Sequence, residues 1–299
     1  MDALLLSGGL DSSIIASVAR PAYAVTIALR LTAPDIQYAR QIGRRYCGRH
    51  IIRVLDENEV LLFAEQVIKT LKTFDPMAIR NSVVALAGLE QAKSDSYSLI
   101  ISGDGCDELF AGYNFLSRYY GDFQRLNAEL GRLWEIMYFP SYNLARAISV
   151  QLKSPYLDPE FALYAKSIPV EKKVGIHDGK QWGKFILRSC FEKKLGHISW
   201  REKAAQELGA GIHKMHEFFT NSIDDSALQL ITKNAQLEGV ALRDKEHAYY
   251  YSVFRKYHSP PREDYFPIRC PFCGGGFTSS ERRFCRVCGA YPVVPVKSL

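Results

Sequence analysis

Asp104, Asp107 and Glu108 crowd three carboxylates into five residues, beside Gly103 and Gly105, in the string SGDGCDELFAGY (residues 102–113). Crowded carboxylates repel one another unless a cation lies between them. Mg²⁺ carried on a polyphosphate is such a cation, because it takes one or two carboxylates together with phosphate oxygens. The same acids would also serve as a solvated turn capping the next helix. A second string, LLLSGGLDSS, fills residues 4–13. Gly8 and Gly9 let a ligand come close to the main chain, and Ser12 and Ser13 suit the first turn of a helix. Free N–H groups and the helix dipole at such a turn favour an anion, and phosphate is the natural guest. A third group is Cys270-x2-Cys273 with Cys285-x2-Cys288. Two such knuckles, each near a glycine, fit a closed tetrahedral zinc site of the structural kind, a zinc ribbon.

The elements that must position these groups read as alternating strands and helices. The leucine run is a short buried strand, followed by the glycine turn and a helix over 14–20 that Pro21 stops. Strands are expected at 23–28, 51–55 and 99–101, and helices at 33–48, 57–73 and 79–93. This alternation predicts an α/β fold with a parallel sheet and helices on both faces. Ligands of such sheets sit at the C-terminal ends of the strands, where both glycine loops fall. Beyond residue 115 strand signals fade. Helical patterns cover most of 115–149, 159–167 and 180–195. HSPPREDYFP (258–267) has the composition of a linker. The expected organisation is a nucleotide domain over 1–258 with a helical subregion over about 115–258, a linker at 259–268, and a small separate ribbon at 269–299.

The chain has 299 residues, 47% of them hydrophobic, which is enough for a sizeable core. Its net charge of +6 is compatible with nucleotide or RNA contact. No apolar run approaches the roughly 18 residues of a membrane span, and no signal peptide is expected, so a cytoplasmic setting is expected. Seven cysteines, an odd count with CxxC pairs, suggest a reducing compartment and metal in place of disulfides. G-x-x-x-x-G-K-[ST] is absent, and so is G-x-G-x-x-G after the strand, which leaves neither a P-loop nor a dinucleotide fingerprint.

SGGLDS resembles the S-G-G-x-D-S motif of the N-type ATP pyrophosphatases, the PP-loop enzymes. SGDGCDELFAGY resembles the S-G-[ED]-G-x-D-E-x-F-x-G-Y signature of the asparagine synthetase synthetase domain. TFDPMAIRNS near Asp75 and Arg80, SPYLDPEFALYA, GKQWGKFILRSCF, WREKAAQELGAG and EHAYYYSVFRKYH follow in that family's order, so the likeness runs from about residue 4 to 258. It implies the ATP pyrophosphatase (adenine nucleotide alpha-hydrolase-like) fold and an ATP-dependent amide ligase that forms AMP and pyrophosphate.

The residue roles carry over one by one. Ser7, Gly8, Gly9, Asp11 and Ser12, with Ser13 beside them, match the phosphate motif. Leu6, Val25, Ser102 and Gly103 match positions lining the adenosine. Asp11 and Asp107 match the Mg²⁺ ligands, and Asp104 the acid beside the acyl-adenylate. Lys184, in K-x-x-L-R, matches a lysine that steadies charge on phosphate, although lysine is ordinarily a solvated residue. Lys203 and the turn Gly209-Ala210-Gly211 match a phosphate-side loop. The implied cofactors are ATP and Mg²⁺, with structural Zn²⁺ expected from the cysteines. The implied substrates are a small carboxylate, aspartate first, and ammonia.

The chain also departs from the family. Glutamine-dependent members carry a nucleophilic cysteine directly after the initiator methionine. Here Asp2 stands at that position and the synthetase strand begins at once. Glutamine hydrolysis in cis is therefore not expected, and ammonia is expected free or from a separate glutaminase subunit. Cys106 replaces the usual Gly or Ser and is expected to be a small buried filler. Ala111 stands where Gly is common. The ribbon, with Arg282, Arg283, Phe284 and Arg286, is unexplained by an amide ligase and would suit RNA or a partner protein. That leaves an alternative: an RNA-modifying PP-loop enzyme that adenylates a tRNA base.

Overall fold

The computed structural model describes residues 2–279 and 282–297. Five strands, β1 (Asp2–Leu5), β2 (Tyr23–Ala28), β3 (Arg49–Val54), β4 (Leu99–Ile101) and β5 (Gln151–Lys153), form one sheet in the order β3-β2-β1-β4-β5. Every pairing in it is parallel. β2 is buried at all six positions, as its unbroken apolar run requires of a strand covered on both faces. After β1 the chain moves to β2 on one side, and it later returns to β4 on the other. The order therefore reverses between β1 and β4, and the crevice outside their C-terminal ends is where ligands of such sheets bind. The loops carrying Gly8–Gly9 and Gly103–Gly105 leave those two ends.

Helices α1 (Leu10–Ala19), α2 (Ile36–Tyr46), α3 (Glu57–Leu71) and α4 (Pro76–Ser94) connect the first strands. α1 starts four residues earlier than its pattern predicts, with Gly9 at the N-cap, so Asp11, Ser12 and Ser13 all lie in its first turn. It stops at Arg20, in left-handed conformation just before Pro21. An Asp56–Glu59 capping box starts α3. Leu4, Leu6, Ile14, Ile15, Ala39, Ile42, Phe110 and Tyr156 form one continuous buried cluster beside the sheet.

Two elements differ from expectation. β5 has only three residues, two of them exposed, and carries no apolar signal of its own. Residues 180–183, expected to begin a helix, instead form the second strand of a hairpin, Val174–His177 with Lys180–Gly183. The helix Phe185–Leu195 begins only after Lys184, whose φ of 57° breaks the regular backbone.

The chain divides into two compact units, one of Met1–Val54 and Gly88–Ala210, the other of Leu55–Ala87 and Gly211–Leu299. This division does not run along the expected boundary at 258: residues 259–299 fall in one unit with 55–87 and 211–258. Within the second unit, the cysteine segment is tied to the turn before α4 and to residues 241–243. Thr73 Oγ1 donates to Arg286 O (2.8 Å) and Val287 O (3.1 Å), and Phe74 N donates to Val287 O (2.8 Å). Ala241 N donates to Phe272 O (2.7 Å), and Arg243 donates to Cys288 O and Gly289 O (3.0 Å each). Proline-rich composition marked a turn in the chain there, not a break in the packing.

One hydrogen-bond relay joins β1, β2 and β3. Thr26 Oγ1 donates to Leu6 O (2.5 Å), so its partner His50 Nε2, 2.8 Å away, must be the donor to that hydroxyl. Burial, aided by the Arg40 charge, lowers the His50 pKa to about 4 from its ordinary 6.5. The folded protein thus binds fewer protons at this ring than the unfolded chain does between those values. Stability from this source is present above pH 6.5 and is lost as pH falls towards 4. His50 is partly exposed, so the effect should be about 1–2 kcal/mol. His50→Gln, which keeps a donor, should narrow the fall in urea midpoint between neutral pH and about pH 5. An equal fall in both proteins would remove His50 as its cause.

Candidate active site

The residues assigned above to nucleotide, magnesium and catalysis lie in the first compact unit, apart from Gly211 of the phosphate-side turn. The loop after β1 makes its sharp turn at Gly8, whose φ is +75° and whose Cα faces α2 so closely that a Cβ would lie 2.5 Å from Ala39 N. The loop bonds itself internally: Ser7 Oγ and Ser12 Oγ are 3.0 Å apart, and Gly9 N donates to Ser7 Oγ at 3.2 Å. Leu6 N donates to Val25 O (2.8 Å), extending the sheet to the start of the loop. Leu6 and Val25 have buried side chains. Ser13 is buried in α1 with its Oγ unpartnered among the described residues. From β4, Gly103 comes against Asp11, a Cβ there lying 3.2 Å from Asp11 Cβ, so the two loops meet at the switch point.

Lys184 closes the cluster. Its Nζ lies 2.6 Å from both Asp11 carboxylate oxygens and 2.7 Å from Asp107 Oδ1. Its backbone N donates to Phe110 O (2.7 Å), fixing the lysine to the acidic loop from which Asp107 comes. A Cβ on Gly112 would lie 2.2 Å from Lys184 Cε and 2.0 Å from Asp107 Oδ1, so any larger residue there would displace the lysine–carboxylate contact. Lys203 approaches from the other side, its Nζ 2.5 Å from Asp107 Oδ2 and 4.3 Å from the centre of the Tyr113 ring. Burial opposes charge on both Lys184 and Asp107. Their contact outweighs it, holding the Lys184 ammonium above the ordinary lysine range and, with help from Lys203, the Asp107 carboxyl below the ordinary carboxylate range.

Asp104 is the third acid. Ser102 Oγ (2.9 Å) and Ser141 Oγ (2.7 Å) both donate to its Oδ2, and Ser154 Oγ donates to its main-chain oxygen (2.5 Å). Burial, opposed by the serine bonds and reinforced by Asp107 and Asp11, raises its pKa. Asp107 is thus held as a carboxylate between two ammonium groups, whereas burial favours the protonated form of Asp104. Asp11 and Asp107 also fit Mg²⁺: they offer the hard oxygens that it takes beside phosphate, and they already flank a cation, the ammonium of Lys184.

Sequence reasoning missed several contributors. Ser141 lies 37 residues from Asp104 and carries no motif signal. Glu108, the third of the crowded carboxylates, instead accepts from Tyr113 OH (2.5 Å). Arg188, in the quoted K-x-x-L-R string, is buried and donates to Gly183 O (2.9 Å), Ser199 O (2.6 Å) and Arg201 O (3.0 Å). Arg201 and Asp35 form an ion pair beside the Gly8 loop. Cys106 is fully buried, and burial pushes its thiol well up, which agrees with a filler. Ala111 has φ 55°, which explains why glycine suits that place.

In the second unit the four cysteine sulfurs lie within 4.8 Å of one another, with Cys270–Cys288 at 3.8 Å and Cys273–Cys285 at 3.7 Å. A tetrahedron with Zn–S of about 2.3 Å has edges of about 3.8 Å. All four sulfur ligands and their spacing thus fit zinc in a closed site, which leaves no open position for substrate. Arg80 and Glu246, from two of the later sequence blocks, form a buried ion pair at 2.7 Å in the same unit.

Comparison with known proteins gives one consistent picture. The family model described as Asparagine synthase matches residues 3–138 and 140–252, stopping short of the four cysteines. Curated relatives include "Asparagine synthetase [glutamine-hydrolyzing]" of Gallus gallus, 28% identical over 290 residues, covering 88% of this chain and 50% of that protein. The Homo sapiens protein of the same name is 28% identical over 289 residues, covering 87% and 49%. The chain spans about half the length of the curated relatives it matches. A solved structure titled as a predicted subunit of tRNA methyltransferase from Methanocaldococcus jannaschii aligns with 65% of this chain and 88% of its own, at 19% identity and a TM-score of 0.29, too low to bear on fold or chemistry. No helix among the described residues is long and apolar enough to cross a membrane.

Freshly purified protein should hold one zinc per chain. Cys273→Ser should release it and speed amide exchange at 73–74 and 241–243 as well as in the ribbon, since those segments share hydrogen bonds. Faster exchange confined to residues 269–297 would mean the ribbon is autonomous after all, and protein lacking zinc would refute the site.

Proposed function

The chain belongs to the asparagine synthase family, and on that premise we propose that it is an ATP-dependent amide ligase that adenylates an acceptor carboxylate, aspartate being the first candidate, for attack by ammonia. The observation that carries this reading is the meeting of Asp11, Asp107, Lys184 and Lys203 at the switch-point crevice, with Asp104 beside them.

The chemistry follows from charge. A carboxylate is a poor electrophile and does not react with ammonia directly. When the acceptor carboxylate oxygen attacks the α-phosphorus of ATP, the bond to the β-phosphate oxygen breaks, and pyrophosphate leaves with negative charge. Gly8 and Gly9 N–H groups at the head of α1 would bind that phosphate end, the Gly9 N–H giving up its bond to Ser7 Oγ. Lys184 and Lys203 supply fixed positive charge where negative charge grows. Mg²⁺, held by Asp11 and Asp107 when bound, would neutralise phosphate charge and polarise its oxygens. Asp104, with one oxygen pinned by Ser102 and Ser141, would orient the incoming ammonia and accept the proton it sheds as the new C–N bond forms and AMP departs. The nitrogen would come as free ammonia or from a separate glutaminase subunit. The zinc centre would act structurally.

The test is product analysis with the purified chain, Mg-ATP, ammonia and a panel of acceptors that includes aspartate and tRNA. AMP and pyrophosphate should form in step with an amide product, and the rate should climb with pH towards the pKa of ammonium. Glutamine alone should not replace ammonia. Asp11→Asn should lower turnover about a hundredfold or more, a loss of about 3 kcal/mol. Formation of ADP and phosphate would refute the assignment, and turnover only with tRNA would move it to RNA modification.

A further inference from the structure

Lys203 reaches Asp107 from residues 201–205, which have no regular structure of their own and join a short 3-10 turn (Gly196–Trp200) to a one-turn helix (Gln206–Gly209) within the segment 199–210. Something must hold that segment against the glycine loop. Arg201 lies two residues before Lys203, and its guanidinium makes three contacts at once. Nη1 donates to Gly8 O (2.9 Å), Nη2 pairs with the Asp35 carboxylate, and the plane lies 4.0 Å from the centre of the Tyr38 ring. Arg201 and Asp35 side chains are only 10% and 11% exposed. The segment is anchored on either side of Lys203 as well. Arg188 donates to Ser199 O and Arg201 O, while Asp35 N donates to Gly209 O (3.1 Å) and Leu29 N to Ala210 O (2.9 Å).

We propose that Arg201 is a positioning residue: paired with Asp35, it straps residues 199–210 onto the phosphate loop so that Lys203 is presented to the bound nucleotide. This rests on the ATP reading above. The charge of Arg201 is already matched by Asp35, and its donors point at Gly8 O and that carboxylate. It therefore acts through Gly8 and Lys203, without itself binding phosphate. A planar fork that bonds two acceptors while stacking on a ring is not reproduced by lysine.

Three single variants, Arg201→Met, Arg201→Lys and Asp35→Asn, and the double variant Arg201→Met/Asp35→Asn would be compared with the unaltered chain. The measurements are Mg-ATP affinity, KM and kcat for ATP–pyrophosphate exchange, and cleavage after Lys203 by a lysine-specific protease without nucleotide. Each single variant should raise KM for ATP about tenfold or more, the scale of a lost charged hydrogen bond. Arg201→Met and Asp35→Asn should both speed cleavage after Lys203. The double variant should be no worse than the worse single one, since both remove the same strap. An Arg201→Met protein with unchanged KM and cleavage would overturn the proposal. So would an Asp35→Asn protein that binds ATP as well as or better than the unaltered chain, with additive losses in the double variant, because that pattern describes a direct phosphate ligand. Should Arg201→Met not fold, Arg201→Lys and Asp35→Asn decide by the same criteria. If the unaltered chain itself binds no Mg-ATP, the ligase reading fails, while the cleavage comparison still shows whether Arg201 holds the segment.

Discussion

The contact of one ammonium with two carboxylates, Lys184 with Asp11 and Asp107, is the interaction on which the rest of the site depends. Each of these charges would be expensive to bury alone. Together they let three chain segments, from β1, from β4 and from the hairpin before the helix Phe185–Leu195, converge in one crevice. The geometry is demanding, and the backbone bends to meet it. Lys184 takes a left-handed conformation unfavourable to a side chain, and Gly112 gives up its Cβ to make room for the lysine stem. The favourable electrostatics of the cluster hold those local strains in place.

The sheet order explains why charge accumulates here. Reversal of direction between β1 and β4 leaves adjacent strand ends whose connections run apart, and the gap admits two loops and a ligand. β5 carries the same logic one strand further. It ends in Lys153, whose oxygen accepts from Ser102 N (2.9 Å), and is followed by Ser154, which bonds the Asp104 main chain. A three-residue strand without apolar signal thereby fixes the acid proposed to meet ammonia.

What was legible in the sequence was what is local. The two glycine loops announce themselves because a strand, a turn and a helix start need particular residues at fixed offsets, and β2 and β4 were found for the same reason. The four cysteines were legible because metal geometry dictates spacing. Contacts between distant segments left no such trace. Ser141, Arg188, Arg201 and Asp35 are ordinary polar residues until the fold brings them to Asp104, the hairpin and Gly8. The ribbon shows the same limit. Prolines and charges at 259–264 suggested a tether, but attachment is decided by what Val287 O and Cys288 O accept, and those donors, Thr73, Phe74 and Arg243, lie far away in sequence.

The charge count of the crevice constrains how any polyphosphate can enter it. Asp11 and Asp107 meet two ammonium groups, Lys184 and Lys203, while Asp104 beside them is held by the Ser102 and Ser141 hydroxyls, its pKa raised by burial. In the ion cluster itself, two carboxylates and two ammonium groups balance, as partly buried charges require. A polyphosphate arriving alone would add several negative charges to three acids and would be repelled. Arriving with a divalent cation, it would bring less net negative charge, and Asp11 and Asp107 would hold that cation while Lys184 would be freed for phosphate. On the ligase reading proposed above, a polyphosphate carrying a divalent cation would therefore meet less repulsion at this cluster than a bare one.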